Sequence, residues 1–187
     1  MAEWIPFYLR RAPTKAGTRS PLCSRRMGFP AFSPSDVYKR QGLGGGFAGY
    51  GIYPQYKEYY AFHIFYEDLS AKKECESFLE RHFDIINLSK IPVRRTKKIT
   101  GEPLIWRYFV MPLPTRLKDS HLDEKEFVAR SVININSNIQ GAYVFSSGKN
   151  MGVFKAVGFP EDVGDFYRLE EYDGYCWTCL LYTSRCV

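Results

Sequence analysis

The chain has 187 residues and a formal net charge of +6, and 45% of its residues are hydrophobic. The charge is uneven: residues 1–41 and 179–187 hold nine Lys or Arg but only two acids, which leaves residues 42–178 at −1. The composition therefore argues against nucleic-acid binding by the middle of the chain. No long apolar run or signal-peptide pattern is present, so neither a membrane span nor secretion is predicted.

The two ends of the chain are related at the level of DNA. Residues 36–41 (DVYKRQ) back-translate as GAT GTG TAT AAG AGA CAG, and the reverse complement of this element, in a shifted frame, encodes residues 179–184 (CLLYTS). The pair resembles the transposase mosaic-end adapter used to prepare sequencing libraries. We therefore expect residues 1–41 to be foreign and without a fold of their own, and residues 179–187 to be an adapter-derived tail. Residues 42–178 are then the natural domain.

The first half of this domain is predicted to contain a glycine-dense entry, a strand and a helix. Residues 42–51 are rich in glycine and lead into a strand, and residues 59–66 form a buried aromatic strand. Residues 70–83 have apolar side chains at helical spacing, with Asp68 or Ser70 as N-cap. Pro92 and the basic run 94–98 predict an exposed edge or loop.

The second half continues the mixture of strands and helices. We predict a strand at 104–111 and a helix at 122–139, which has an acidic first turn and ends at Gly141. A hairpin follows at 142–157, in which Gly148 and Asn150 supply positive φ at the turn. A short helix at 160–167 and a strand at 175–178 complete the domain. This order predicts an α+β fold.

The motifs that carry chemistry elsewhere have simpler explanations in this sequence. The glycines at 42–46 lack the spacing of a dinucleotide or phosphate-binding loop, so they predict close backbone packing or a tight turn. His63, His82 and His121 lie on different elements, and His63, inside an aromatic strand, is expected to be structural. Glu170, Glu171 and Asp173 predict an acidic surface turn, and 94–98 a solvated face.

The cysteines do not predict a metal or redox site. Cys176 and Cys179 have the spacing of a zinc or disulfide half-site, but the second member falls in the adapter-derived tail. Within the natural domain this leaves Cys75 and Cys176, and two cysteines without a pairing pattern suit a reducing cytoplasm. No cofactor is predicted.

Several longer motifs carry a resemblance to a known family. They are GLGGGFAGYGIYP at 42–54, WRYF at 106–109, the segment 141–160, FYRLEEY at 166–172, and Trp177-Thr178. Together they resemble the class-II glutamine amidotransferase domain, in the branch similar to the amidotransferase subunit of prokaryotic glutamate synthase. The resemblance implies an N-terminal-nucleophile hydrolase fold, a four-layer αββα sandwich, which would be incomplete in this chain.

The resemblance also implies a chemistry whose working residues are missing here. The family uses an N-terminal Cys-Gly, whose thiolate attacks the glutamine amide, whereas this chain begins Met1-Ala2-Glu3 and Cys23 is not followed by Gly. The arginine that precedes the glycine motif in the family is not matched, because Arg40 belongs to the adapter. The family's glutamine-binding and oxyanion residues follow Trp177-Thr178 and are absent. No catalytic, cofactor-binding or metal-binding residue is therefore assigned.

Three functions are carried forward. The first is a fragment of a cytoplasmic glutamine amidotransferase, whose family converts glutamine to glutamate and passes ammonia to a synthase domain or subunit; this chain is predicted to be inactive. The second is a basic module that binds nucleic acid or other anions through 10–26 and 94–98. The third is a non-catalytic regulatory relative of the amidotransferases.

Overall fold

A computed structural model describes residues 44–94 and 103–182. The chain forms a mixed helix and strand fold with two antiparallel sheets. The described residues divide into two compact units, one comprising 44–49, 93–94 and 154–182, the other 50–92 and 103–153. The strands are β1 (Gly44–Tyr50), β2 (Tyr60–Tyr66), β3 (Phe83–Lys90), β4 (Leu104–Pro112), β5 (Ala142–Lys149), β6 (Met151–Val157) and β7 (Cys176–Tyr182). The helices are α1 (Leu69–His82), α2 (Pro114–Ser120), α3 (Glu124–Asn138) and α4 (Pro160–Phe166).

The larger unit is built on a four-stranded sheet with the order β3-β4-β2-β5. Strand β2 lies in the middle and pairs antiparallel with both β4 and β5. Helices α1 and α3 cover one face of this sheet, which we call the helical face. Its core joins alternate residues of β2 and β4 to apolar positions of the two helices, among them Phe62, Ile64, Tyr66, Tyr108, Val110, Leu79, Phe127 and Ile135.

Both long helices begin at an aspartate. The Asp68 carboxylate accepts a hydrogen bond from the Ala71 amide at 2.8 Å, and the Asp123 carboxylate accepts one from the Glu126 amide at 2.8 Å. Each cap satisfies a backbone donor that has no partner inside its helix. The helix α1 that was expected at 70–83 is confirmed, with Asp68 as its cap, and helix α3 is confirmed within the predicted 122–139.

The outer edge of β5 is closed by a side chain of α3. Asn136 Nδ2 donates to the Val144 carbonyl at 3.0 Å, and the Val144 amide donates back to Asn136 Oδ1 at 2.7 Å. The amide side chain therefore takes the place that the backbone of a neighbouring strand would occupy. This contact protects one edge of the sheet from pairing with another chain.

The smaller unit contains the three-stranded sheet β6-β1-β7. A Cβ at Gly46 would lie 2.7 Å from the Phe154 carbonyl oxygen, and one at Gly45 would lie 3.1 Å from the Gly158 carbonyl oxygen. Glycine is needed here because the backbones approach too closely for a side chain. Phe154 packs against the rings of Tyr167, Tyr172 and Trp177.

The structure corrects three of the expected elements. The glycine-dense segment is itself strand β1, so it does not lead into a later strand. Strands β5 and β6 belong to different sheets, so the hairpin expected at 142–157 is wrong. The chain instead turns between sheets at Asn150, which has the predicted positive φ of 50°, whereas Gly148 lies inside β5.

Strand β3 and helix α2 were not anticipated, nor were the short 3-10 helices Pro54–Tyr56 and Leu169–Glu171. The other expected elements are confirmed to within a few residues. Strand β3 carries an irregularity between Ile85 and Asn87, which breaks the alternation that would reveal a strand. Helix α2 is too short to show a helical period. Of the basic run at 94–98, Arg94 is exposed, and 95–98 lie outside the described residues.

Candidate functional site

The face of the four-stranded sheet opposite the helices carries its polar side chains. Because successive strand residues point to opposite faces, His63 lies on this face between two core residues, Phe62 and Ile64. In the pairing register His63 is opposite Arg107 on β4 and Ser146 on β5, and Arg107 is opposite Ser89 on β3. We call this the polar face.

His63 is completely buried, and both of its ring nitrogens are hydrogen-bonded. Nδ1 lies 2.9 Å from the Val153 carbonyl oxygen and must donate to it, and Nε2 lies 2.9 Å from the Tyr53 hydroxyl. In a neutral ring whose Nδ1 carries the proton, Nε2 accepts from that hydroxyl. The His63 pKa is lowered to about 3, mainly because burial disfavours the charged ring; the Val153 bond opposes this shift, and the charge of Arg107 adds a smaller lowering effect. His63 is therefore neutral near pH 7.

Backbone contacts fix the groups that hold His63. The Tyr53 amide donates to Asn150 Oδ1 at 2.9 Å, and the Val153 amide donates to Ser146 Oγ at 3.1 Å. A Cβ at Gly152 would lie 2.5 Å from His63 Cε1, so only glycine lets the backbone pass the imidazole at this distance. Asn150 lies in the turn after β5, and Gly152 lies in β6. The contacts around His63 therefore fix the path of the chain as it leaves β5.

Arg107 lies beside this cluster with aromatic rings around its guanidinium group. The guanidinium carbon is 4.9 Å from the Tyr53 ring centroid and 5.3 Å from that of Phe109. Nη2 donates to Ser89 Oγ at 3.0 Å. Nε is buried and has no hydrogen-bond partner among residues 44–94 and 103–182, which is unusual for a charged donor. Arg107 is thus a cation held in one position, and its Nε–H is available to donate a hydrogen bond.

A series of hydrogen-bonded polar side chains crosses the helical face. The Tyr66 hydroxyl donates to the Tyr108 hydroxyl at 3.2 Å, which donates to Glu76 Oε1 at 3.0 Å, and Lys72 Nζ lies 2.6 Å from the same oxygen. Burial raises the pKa of Tyr66 and of Tyr108. Burial also raises the pKa of the neighbouring Cys75 thiol to about 11, so Cys75 remains a thiol and is a poor nucleophile at pH 7.

The chemistry available from these groups is positioning and binding. A general base needs a pKa near the working pH and reach to a nucleophile, whereas the His63 ring is engaged by Tyr53 and Val153 and has a pKa near 3. As expected for a structural residue, His63 is buried and hydrogen-bonded at both ring nitrogens. Its hydrogen bonds orient the polar face, and Arg107 supplies the charge there.

The other histidines lie away from His63, as expected. His82 ends α1, where its Nδ1 donates to the Phe78 carbonyl at 2.8 Å and its ring stacks on Phe78. His121 is exposed, ends α2 and adopts a φ of 55°. Within 44–94 and 103–182, no three His, Cys, Asp or Glu side chains cluster in a way that would bind a metal.

The remaining residues singled out in the sequence lie on the surface or in strands. Cys176 and Cys179 are three residues apart on β7, so their side chains point to opposite faces and do not form one chelating pair. Glu170 pairs with Arg94 at 2.8 Å, and Glu171 pairs with Arg168, which confirms an acidic surface turn. Of the glycines at 42–46, Gly45 and Gly46 serve close backbone packing as predicted, and 42–43 lie outside the described residues.

Sequence reasoning missed Arg107 and Tyr53 as members of a polar cluster. Both stand in the quoted motifs, at 106–109 and 42–54, but a motif does not reveal which side chains meet. One weaker signal was available: an arginine inside an otherwise apolar strand, in Ile105-Trp106-Arg107-Tyr108-Phe109, calls for an explanation.

Comparison with known proteins adds one relative. No protein-family profile matches the chain. A protein of Archaeoglobus fulgidus described as an uncharacterized protein is 49% identical over 140 residues, which cover 73% of this chain and 37% of the relative. The chain thus spans a little over a third of the length of the curated relative it matches. Within the described residues, no helix is both long and apolar enough to span a membrane.

Proposed function

We propose that residues 42–178 are part of a class-II glutamine amidotransferase domain, similar to the amidotransferase subunit of prokaryotic glutamate synthase. The observation that carries the proposal is the motif GLGGGFAGYGIYP at 42–54. Gly45 and Gly46 in this motif lie where a Cβ would meet neighbouring backbone, and Tyr53 holds the buried His63. The motif therefore coincides with positions at which other residues would not fit.

The fold is compatible with this proposal. An N-terminal-nucleophile hydrolase has two antiparallel sheets between layers of helices, and this chain has two antiparallel sheets, one of them covered by α1 and α3. We infer that the chain adopts an incomplete form of the four-layer αββα sandwich. The alignment with the archaeal relative extends over 140 residues, a length similar to that of 42–178.

The proposed parent reaction is hydrolysis of glutamine to glutamate, with ammonia passed to a synthase domain or subunit in the cytoplasm. A thiolate nucleophile attacks the amide carbon, and oxyanion donors stabilise the tetrahedral intermediate. This chain lacks a match to the N-terminal Cys-Gly of the family and to its oxyanion residues. We therefore infer that it does not catalyse the reaction.

The test compares two proteins in one assay. Purified full-length Archaeoglobus fulgidus relative and this chain are each incubated with glutamine, and released ammonia is measured. We expect ammonia from the relative and none from this chain, with asparagine as the control substrate. A relative that is folded but releases no ammonia from glutamine contradicts the family proposal, whereas turnover by this chain contradicts only its inactivity.

A further inference from the structure

We propose that Arg107 and Ser89 form a binding site for the carboxylate group of a small molecule, on the polar face of the four-stranded sheet. The inference does not depend on the proposed amidotransferase function, since every residue that carries it lies in one compact unit. Arg107 is on β4 and Ser89 is its cross-strand neighbour on the edge strand β3.

The first argument is the charge of Arg107. Among residues 44–94 and 103–182, every ion pair is formed by a cation other than Arg107, and no carboxylate lies within 4.0 Å of Arg107. Its neighbour His63 is neutral near pH 7 and so adds no second positive charge. A half-buried guanidinium group without a carboxylate attracts an anion more strongly than a fully solvated one, because less water screens it.

The second argument is the pattern of hydrogen-bond donors. In the part of the chain that the structure describes, Nε of Arg107 is buried and without a hydrogen-bond partner, while the adjacent Nη2 donates to Ser89 Oγ. Ser89 uses its oxygen as an acceptor in this bond, which leaves its own hydroxyl hydrogen for another acceptor. Nε–H and Nη2 are adjacent donors of one guanidinium group, and the Ser89 hydroxyl, whose oxygen is bonded to Nη2, is a further donor. A carboxylate, which only accepts, is the complement of such a set.

The third argument is the rigidity of the arginine. The guanidinium group lies over the rings of Tyr53 and Phe109, and Phe109 is itself stacked on Tyr56 at a centroid distance of 4.0 Å. Cation–π contacts and the Ser89 bond hold the planar group in one orientation. Binding then requires little further ordering of the side chain, so a larger part of the interaction energy becomes affinity.

The experiment follows the Nε–H resonance of Arg107 in the full chain, labelled with ¹⁵N, during titration with sodium acetate. Sodium chloride at equal ionic strength is the control for screening. We expect a saturable shift of this resonance with acetate and no such shift with chloride. An Nε–H signal that stays unmoved by acetate, or that responds equally to chloride, overturns the proposal.

Two variants and one control test the assigned donors. Ser89→Ala removes a neutral donor next to a charged group, so acetate affinity should fall about tenfold while the Arg107 signal remains observable. Arg107→Lys should abolish the saturable response. The control is Arg116→Lys. Arg116 is exposed and its Nε donates to the Arg81 carbonyl at 3.0 Å, so this variant should bind acetate as tightly as the wild type.

A third outcome concerns the identity of the anion. Inorganic phosphate is titrated in parallel, because it has the charge but not the planar geometry of a carboxylate. Tighter binding of acetate than of phosphate at equal ionic strength supports the assignment. Tighter binding of phosphate, or unchanged affinity in Ser89→Ala, overturns the carboxylate site even when the Arg107 signal moves.

Discussion

Phe62, Ile64 and Tyr66 leave strand β2 on the helical face of the larger sheet, whereas His63 leaves it on the polar face. All four side chains are completely buried, yet the two faces achieve burial differently. The helical face buries mainly hydrocarbon, which needs shape alone. The polar face buries an imidazole and a guanidinium nitrogen, which need directed hydrogen bonds. Stability should therefore depend on volume on one face and on specific partners on the other.

The largest effect should come from the helical face. Phe62→Ala removes a completely buried ring that packs against Phe83 at a centroid distance of 5.4 Å. The free energy of unfolding should fall by about 3–5 kcal/mol, since both transfer energy and a cavity are involved. Urea denaturation gives the value, with Phe62→Leu as the smaller control. A loss near zero would show that this face does not hold the unit together.

The next effect is the response of the polar face to pH. Folded His63 has a pKa of about 3 against an ordinary value of 6.5, so below pH 6.5 the unfolded chain takes up a proton that the folded chain does not. Stability from this group is complete above pH 6.5 and falls by about 1.4 kcal/mol per pH unit as pH decreases towards 3.

Two measurements check this pH dependence. The ¹H NMR signal of His63 Cε1–H should stay constant between about pH 8 and about pH 5, a range that includes the ordinary histidine pKa of 6.5. The variant His63→Gln should lose part of the acid sensitivity of unfolding, whereas His121→Gln, at an exposed position, should retain it. Titration of the His63 signal near pH 6.5 would contradict the burial that defines the polar face.

A smaller effect is expected when only one hydrogen bond of the polar face is removed. Tyr53→Phe retains the ring against Phe109 but deletes the hydroxyl that lies 2.9 Å from His63 Nε2. The loss should be about 1–3 kcal/mol, because a buried acceptor loses its donor. The matched control is Tyr59→Phe, at a half-buried tyrosine outside the cluster. If Tyr53→Phe were as stable as the wild type, packing rather than specific hydrogen bonds would determine stability on both faces.

The smallest effect should come from the outer end of the tyrosine chain on the helical face. Lys72→Met removes the ion pair with Glu76 and the cation–π contact of Lys72 Nζ, which lies 4.2 Å from the Trp106 ring centroid, but it keeps an apolar side chain of similar length. We expect a loss of about 1 kcal/mol or less, and a smaller loss at high salt. Lys73→Met, on an exposed neighbour, is the control. A loss equal to that of Phe62→Ala would place the ionic network, not the apolar core, at the centre of this face.

The sequence predicted the elements better than their pairing. The cap of α1 was predictable because Asp68 acts on a backbone amide only three residues away, whereas Asp123, which was expected in the first turn of α3, is its N-cap. The wrong hairpin at 142–157 has the opposite cause. A turn signal such as Asn150 indicates that the chain reverses or bends locally, but the sheet that the next strand joins depends on contacts far away in the chain.

Residue types in the candidate site were partly predictable, and their arrangement was not. That His63 is structural followed from its place in an aromatic strand. Its partners Tyr53 and Val153 could not be predicted in the same way. Val153 is 90 positions away and contributes only its backbone carbonyl, which has no sequence signal. The unsatisfied Nε of Arg107 likewise becomes visible only when its surroundings are known.

The sequence by itself determined the local periodicity, the cap of α1 and the role of the glycines in β1, since these depend on neighbouring residues and on backbone sterics. Only the tertiary structure decided which sheet each strand joins, that His63 is neutral, and that no carboxylate of the described residues lies beside Arg107. These properties depend on burial and on groups brought together from distant segments, and neither burial nor such proximity is encoded at any single position.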